Sequence, residues 1–259
     1  MEEAFLVGRE AGVPVLLSHH KVTGKDHWGQ TARTLSRFDE VRRTQPVSLD
    51  VYPYDASSTV LKMDAARRSS KVVVTWSKAK PEAAGRTLAS LAEDFCCSEE
   101  QAAARLQPAG AVYWAMDEDD VRRVLCHPCA MVGSDGLPND EIPHPRLFGS
   151  FPRVLGRYCR EERLFSLEEC VRKLSALPAS VFGFTDRGTL AVGKNISLLI
   201  SCAVCGIKSI KSIGMASAPG AGRAVLRGQR PHLRQPSPRA EARHQAPTST
   251  ERVQRHTRP

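Results

Sequence analysis

Three short apolar runs, each ending abruptly in polar or ionisable side chains, constrain the fold of this 259-residue chain more than any other feature. The first is Val13-Pro14-Val15-Leu16-Leu17, which runs into Ser18-His19-His20-Lys21. The second is Val47-Ser48-Leu49-Asp50-Val51, followed by Tyr52-Pro53-Tyr54, and the third is Ala130-Met131-Val132-Gly133, followed by Ser134-Asp135-Gly136. Such short, nearly continuous apolar runs read as strands buried on both faces, as in a parallel sheet. Between the first two lies a helical pattern with Ala32, Leu35, Phe38 and Val41 at a spacing of three. From mid-strand to mid-strand is about 34 residues, close to the ~31 per unit expected when roughly 250 residues make eight βα units. The rhythm is that of βαβ units, and the fold class read from it is α/β.

Residues 55–127 interrupt that rhythm with Ser/Thr-rich and helical material and read as a helical insertion. Ser98-Glu99-Glu100-Gln101 has the form of a capping box opening a helix to Leu106, and Asp117 to Asp120 load the start of another helix with acid. Ser166-Leu167-Glu168-Glu169 is a second capping box, and Pro178 opens a short helix that Gly183 ends. Glu2 to Ala11 fits a helix stopped by Gly12. No cap precedes that helix, which suggests that something upstream is missing.

The formal charge of +9 raises the question of a nucleic-acid partner. Its position answers it: from Arg223 to Pro259 there are nine Arg and no Lys against Glu241 and Glu251, a net +7 that leaves +2 for residues 1–222. A basic, Pro-rich, aromatic-free tail has the electrostatics of a nucleic-acid binder without groups that read bases, so no specific nucleic-acid partner is expected. Its composition predicts disorder over 214–259. No basic segment opens the chain and no apolar run approaches the ~18 residues of a membrane span, so no membrane partner and a cytoplasmic location are expected. Eight cysteines without an export signal read as reduced thiols. The pairs Cys126/Cys129 and Cys202/Cys205 read as small buried apolar residues rather than as a zinc knuckle.

Strand ends in a parallel barrel meet at one face, so His19, His20, Lys21, Asp50, Tyr52, Tyr54 and Asp135 would converge. Taken alone, a strand-end His is more often structural than a ligand. His19 and His20 point to opposite faces of an extended strand, so at most one looks into a site. Asp135, between Ser134 and Gly136, could equally form a turn.

Longer strings add to this. Ser18-His19-His20-Lys21-Val22-x-Gly24, Asp50-x-Tyr52-Pro53-Tyr54-x-Ala56-x-Ser58-Thr59 and Gly133-Ser134-Asp135-Gly136-Leu137-Pro138 resemble the D-aminoacylase family of the amidohydrolase superfamily. So do Pro143-His144-Pro145-Arg146-Leu147 and Gly149-x-Phe151-Pro152-Arg153-Val154-Leu155-Gly156, and the resemblance runs over about residues 1–194. It implies a partial TIM (β/α)8 barrel, about strands six to eight, over 1–193 with the insertion at 55–127. A divergent remnant of a small β domain follows over 194–213, then the Arg/Pro-rich tail.

The implied activity is zinc-dependent hydrolysis of N-acyl-D-amino acids to a D-amino acid and a carboxylate. His19 would ligate zinc, and Asp135 would take a proton from the metal-bound water and pass it to the leaving amine. Lys21 and Arg146 would clamp the substrate carboxylate, Tyr52 would donate to the scissile carbonyl, and Ser58 would help hold the carboxylate. Residues 55–110 would correspond to the family's lid over the active site, with Trp76 and Trp114 as wall residues.

Two departures qualify the implication. The family's other metal ligands have no counterpart here, and one histidine cannot hold a catalytic zinc that needs about three protein ligands. After Gly193 the family's Ala-Asp-Leu strand is replaced by Lys194-Asn195-Ile196-Ser197-Leu198-Leu199-Ile200. These point to a truncated or frame-shifted reading of a longer gene. The alternatives are an inactive fragment that associates with a separate amino-terminal half, and a hydantoinase- or dipeptidase-like activity.

Overall fold

The structure, a computed structural model, describes residues 1–138 and 140–195 together with the backbone of 197–200 and 211–214. The disorder expected over 214–259 falls, apart from Gly214 at the end of a strand, outside the described residues, as does the Cys202/Cys205 pair.

Helix α1 (Glu2–Ala11) ends on Gly12, whose left-handed φ of 65° costs glycine little. Strand β1 (Val15–Leu17), helix α2 (Thr31–Val41) and strand β2 (Val47–Val51) follow. The next stretch runs through β3 (Ala56–Val60), α3 (Met63–Arg67), β4 (Lys71–Ser77), α4 (Leu88–Asp94), α5 (Glu99–Leu106) and β5 (Ala109–Trp114). Then come α6 (Glu118–Cys126), β6 (Ala130–Val132), α7 (Arg146–Arg153), a π-helical stretch over Val154–Glu161, α8 (Leu167–Leu174) and α9 (Ala176–Val181). Strands β7 (Ser197–Ile200) and β8 (Lys211–Gly214) pair antiparallel.

The three sequence-predicted strands form one parallel sheet in the order β1-β2-β6, with Val15 opposite Val47 and Leu49 opposite Ala130. Its core joins Leu49, Val51, Ala130 and Val132 of the sheet to Leu35 and Phe38 of α2, Val121, Val124 and Leu125 of α6, and Tyr158. Those side chains sit three and four apart on their helices, so each helix lays one stripe on the sheet. The stripe of α2 differs by one residue from expectation: Thr31, not Ala32, is buried.

Two expectations are corrected. Strand β1 is not buried on both faces; Leu16 is exposed and Val15 and Leu17 are half-buried, whereas β6, at the sheet's other edge, is buried throughout because α6 and α8 pack on it, so helix cover and not edge position decides. The stretch over 55–127 is not simply helical. It holds an antiparallel sheet in the order β3-β5-β4, with its own core of Leu61, Val72, Val74, Leu88, Leu91, Leu106, Ala111 and Tyr113. Helices α4 and α5 complete that core rather than make it.

Caps behave as their chemistry requires. Ser98 Oγ accepts from Gln101 N at 3.2 Å while Gln101 Oε1 accepts from Ser98 N at 3.2 Å, a closed capping box. Asp117 Oδ1 accepts from the amides of Asp119 and Asp120 at the start of α6, and Ser166 Oγ accepts from Glu169 N at the start of α8. Of the described cysteines, Cys159 and Cys170 are buried as small apolar residues are, whereas Cys96 and Cys126 are exposed; all six are free.

Candidate functional site

The carboxyl ends of β1, β2 and β6 carry the polar groups the sequence singled out. The chain leaves β1 through His19, a non-glycine residue held at a φ of 46°. That turn separates the neighbouring histidines. His20 is buried, donates its backbone N–H to Asp50 O at 2.8 Å and hydrogen-bonds Thr34 Oγ1 through Nε2 at 2.9 Å. Burial, helped by the Lys21 charge, pushes its pKa down to about 4, so it is a neutral packing residue. His19 is exposed. Its backbone N–H donates to Asp50 Oδ1 at 2.7 Å, and Lys21 Nζ lies 2.6 Å from His19 Nδ1 and donates to His19 O at 2.9 Å.

Tyr52 is the residue around which the cations gather. Lys21 Nζ stands 5.1 Å and the Arg146 guanidinium carbon 4.5 Å from its ring centroid, both within cation–π range. Burial, against the pull of Asp135 and with the help of the nearby Arg146 charge, lowers the Lys21 pKa to about 8. Burial raises the Tyr52 phenol above its ordinary value, so it is a donor rather than a phenolate.

Arg146, at the start of α7, is 2% exposed. Its Nη1 lies 2.9 Å from Asp135 Oδ2 and its Nη2 donates to Ser58 O at 3.3 Å. His144 fixes the turn into α7: its Nδ1 accepts from Arg146 N at 2.9 Å, and its Nε2 hydrogen-bonds Ala56 O at 3.1 Å. That pairing requires the neutral ring protonated on Nε2, and burial pushes the His144 pKa down to about 4. Asp135 follows β6 at a φ of 46°. A side chain at Gly136 would come within 2.6 Å of Leu147, so the loop after Asp135 can lie against α7 only with glycine there.

The structure thus links all six sequence-predicted residues: His19 to Lys21, Lys21 to Tyr52, Tyr52 to Arg146, and Arg146 to Asp135 and Ser58. Trp76 packs against Gly110, where an added Cβ would strike it, and Lys71 Nζ stands 4.8 Å from the Trp114 ring centroid. Two participants were not assigned a role from sequence, Asp50 and His144. Asp50 stood among the strand-end acids, and His144 inside a matched string two residues before Arg146; both act through backbone contacts that spacing does not reveal.

Among the described residues no group of three His, Cys, Asp or Glu side chains is arranged to hold a metal ion. His19 is accompanied by an ammonium rather than by further ligands, so the donor set does not fit a catalytic zinc.

The amidohydrolase family model matches residues 86–200. N-acyl-D-glutamate deacylase of Alcaligenes xylosoxydans xylosoxydans is 52% identical over 194 residues, 74% of this chain and 40% of that protein. The matched part of this chain belongs to the D-aminoacylase family. D-aminoacylase of the same organism is 47% identical over 200 residues, 77% of this chain and 41% of that one. The solved structure of N-acyl-D-glutamate deacylase from Bordetella bronchiseptica, complexed with zinc and a phosphonate inhibitor that mimics the tetrahedral intermediate, superposes with a TM-score of 0.74 at 49% identity. The match covers 76% of this chain and 42% of that structure. The chain therefore spans about two fifths of the length of the relatives it matches.

Proposed function

We propose that this chain carries the substrate-binding and proton-transfer part of a site that hydrolyses the amide bond of N-acyl-D-amino acids, with zinc as cofactor, to a D-amino acid and a carboxylate. The observation that carries the reading is the convergence of Lys21, Tyr52, Ser58, Asp135 and Arg146 in a chain 52% identical to a deacylase. Arg146 and Lys21 hold the substrate carboxylate, the guanidinium through two parallel donors. Ser58 Oγ adds a fourth donor. The Tyr52 hydroxyl faces the carbonyl oxygen as charge grows there, and Asp135 carries the proton to the leaving amine. His19 would be the one metal ligand in this stretch, and zinc would supply Lewis acidity only if further ligands completed its shell.

In this reading residues 1–193 are a partial (β/α)8 barrel, about strands six to eight, with the insertion at 55–127, and 194–213 is a remnant of a small β domain. The free thiols suit a cytoplasmic protein, and among the described residues no helix is long and apolar enough to cross a membrane. A second reading, a chain inactive without a complementing amino-terminal half, is favoured by the lack of a three-ligand group among the described residues.

Zinc content and release of D-methionine from N-acetyl-D-methionine test the proposal. About one zinc per chain and a release that Asp135→Asn abolishes support the full activity. A zinc-free, silent chain leaves the second reading.

A further inference from the structure

Strand β2 ends at Val51, so its ladder does not fix Tyr52, the next residue. The Tyr52 carbonyl instead accepts from Tyr54 N at 3.0 Å, closing a three-residue turn on Pro53. The next carbonyl, that of the buried Pro53, accepts from Arg153 Nε at 2.7 Å, across 100 residues of sequence. A buried carbonyl needs such a partner, and here a side chain supplies it rather than a neighbouring strand.

Arg153 is itself held by two rings. Its guanidinium carbon stands 4.7 Å from the Tyr54 ring centroid and 5.7 Å from that of Tyr158, both within cation–π range. Tyr158 donates in turn to Glu118 Oε1 at 2.5 Å, and its hydroxyl oxygen lies 3.4 Å from the same Pro53 carbonyl. Arg153 and Tyr158 are five residues apart, a spacing that would put them about 140° apart round an α-helix. They reach one carbonyl because the chain over Val154–Glu161 is π-helical, where the hydrogen bond spans five residues, as from Glu162 N to Arg157 O at 2.8 Å.

We propose that Arg153, aimed by the π-helical stretch, is a positioning residue for Tyr52. It acts on the backbone one residue beyond Tyr52 and leaves the ring to Lys21 and Arg146. With Pro53 O anchored, the turn cannot rotate and the Tyr52 ring stays within reach of both cations. Without that anchor the turn is free to swing, and the ring moves away from them. The part Tyr52 plays at a carbonyl oxygen rests on the proposed function; its placement by Arg153 does not.

The test is tyrosine-ring NMR of the full chain, whose 4 tyrosines are told apart by single changes to phenylalanine. Arg153→Ala is expected to shift the Tyr52 and Tyr54 signals while Tyr113, in the core of the antiparallel sheet, keeps its place. Arg153→Lys retains a donor for Pro53 O but no planar face for Tyr54, so Tyr52 is expected back at its native position with Tyr54 still displaced. A Tyr52 signal that holds in Arg153→Ala while Tyr54 moves overturns the proposal, because Arg153 then only braces its ring neighbours. If Arg153→Ala unfolds the chain and scatters the Tyr113 signal, Arg153→Lys decides alone, and a Tyr52 displaced as far as Tyr54 overturns it. Turnover is a separate readout. With zinc and N-acetyl-D-methionine, Arg153→Ala is expected to lower kcat about tenfold at nearly unchanged KM, since a misplaced Tyr52 serves the growing charge less well. A native chain that releases no D-methionine fails the deacylase reading and leaves the Tyr52 signals to decide the placement.

Discussion

His144 holds the turn that presents Arg146, and it does so only while neutral. Its Nδ1 accepts from Arg146 N and its Nε2 serves Ala56 O, so a proton on Nδ1 removes the first bond and places a second charge beside a buried guanidinium. The folded pKa of about 4 lies below the ordinary histidine value of 6.5. Stability from this group is therefore fully present above pH 6.5 and is lost as pH falls toward 4, because the unfolded chain binds the proton first. By pH 5 the loss is about 2 kcal/mol. Urea unfolding at pH 7.5 and pH 5 reads it: the native chain loses that amount more than His144→Gln, whose side chain does not titrate. Equal losses in the two proteins would remove His144 from the acid response.

Helix α2 is held at its start by a residue of another helix. Asp120 of α6 is buried, and its carboxylate accepts from Gly29 N at 2.7 Å, from Thr31 N and Oγ1, and from Arg123 Nη1. These are orphan amides of an N-terminus, satisfied from across the interface. Asp120→Ala leaves them and Arg123 unanswered in a buried setting, and a loss of about 3 kcal/mol in unfolding free energy is expected. Ser98→Ala at the exposed capping box of α5 costs less, about 1 kcal/mol. Denaturant midpoints order the two, and hydrogen exchange places the first loss at α2.

Capped helices and parallel strands were legible because each announces itself locally, in an acid or serine before an apolar stripe or in a continuous apolar run. Strands β4 and β5 were not. A shift of register between Val74 and Trp76 breaks the two-residue alternation of β4, and β5 is buried along nearly its whole length, so it alternates nowhere. Arg146 was legible only through a matched string, since a loop brings it back to strands more than eighty residues earlier.

At the scale of the molecule, the two ends of the parallel sheet are unlike. Strand β6 is buried throughout, with α6 and α8 packed against it, while β1 has Leu16 exposed at an edge. Nearby in sequence, Leu6 and Val7 of α1 and Val13 are exposed as well. An exposed apolar edge strand offers unpaired backbone groups and a greasy face together, which is a template for another chain. Association that grows with protein concentration is therefore expected, led by β1 rather than β6. Leu16→Lys places a charge at a side chain that is 36% exposed, so part of its burial is lost and unfolding free energy should fall by about 1 kcal/mol. Sedimentation velocity across a concentration series decides it: the variant should stay monomeric where the native chain forms larger species, and a variant that associates as readily would move the sticky surface away from β1.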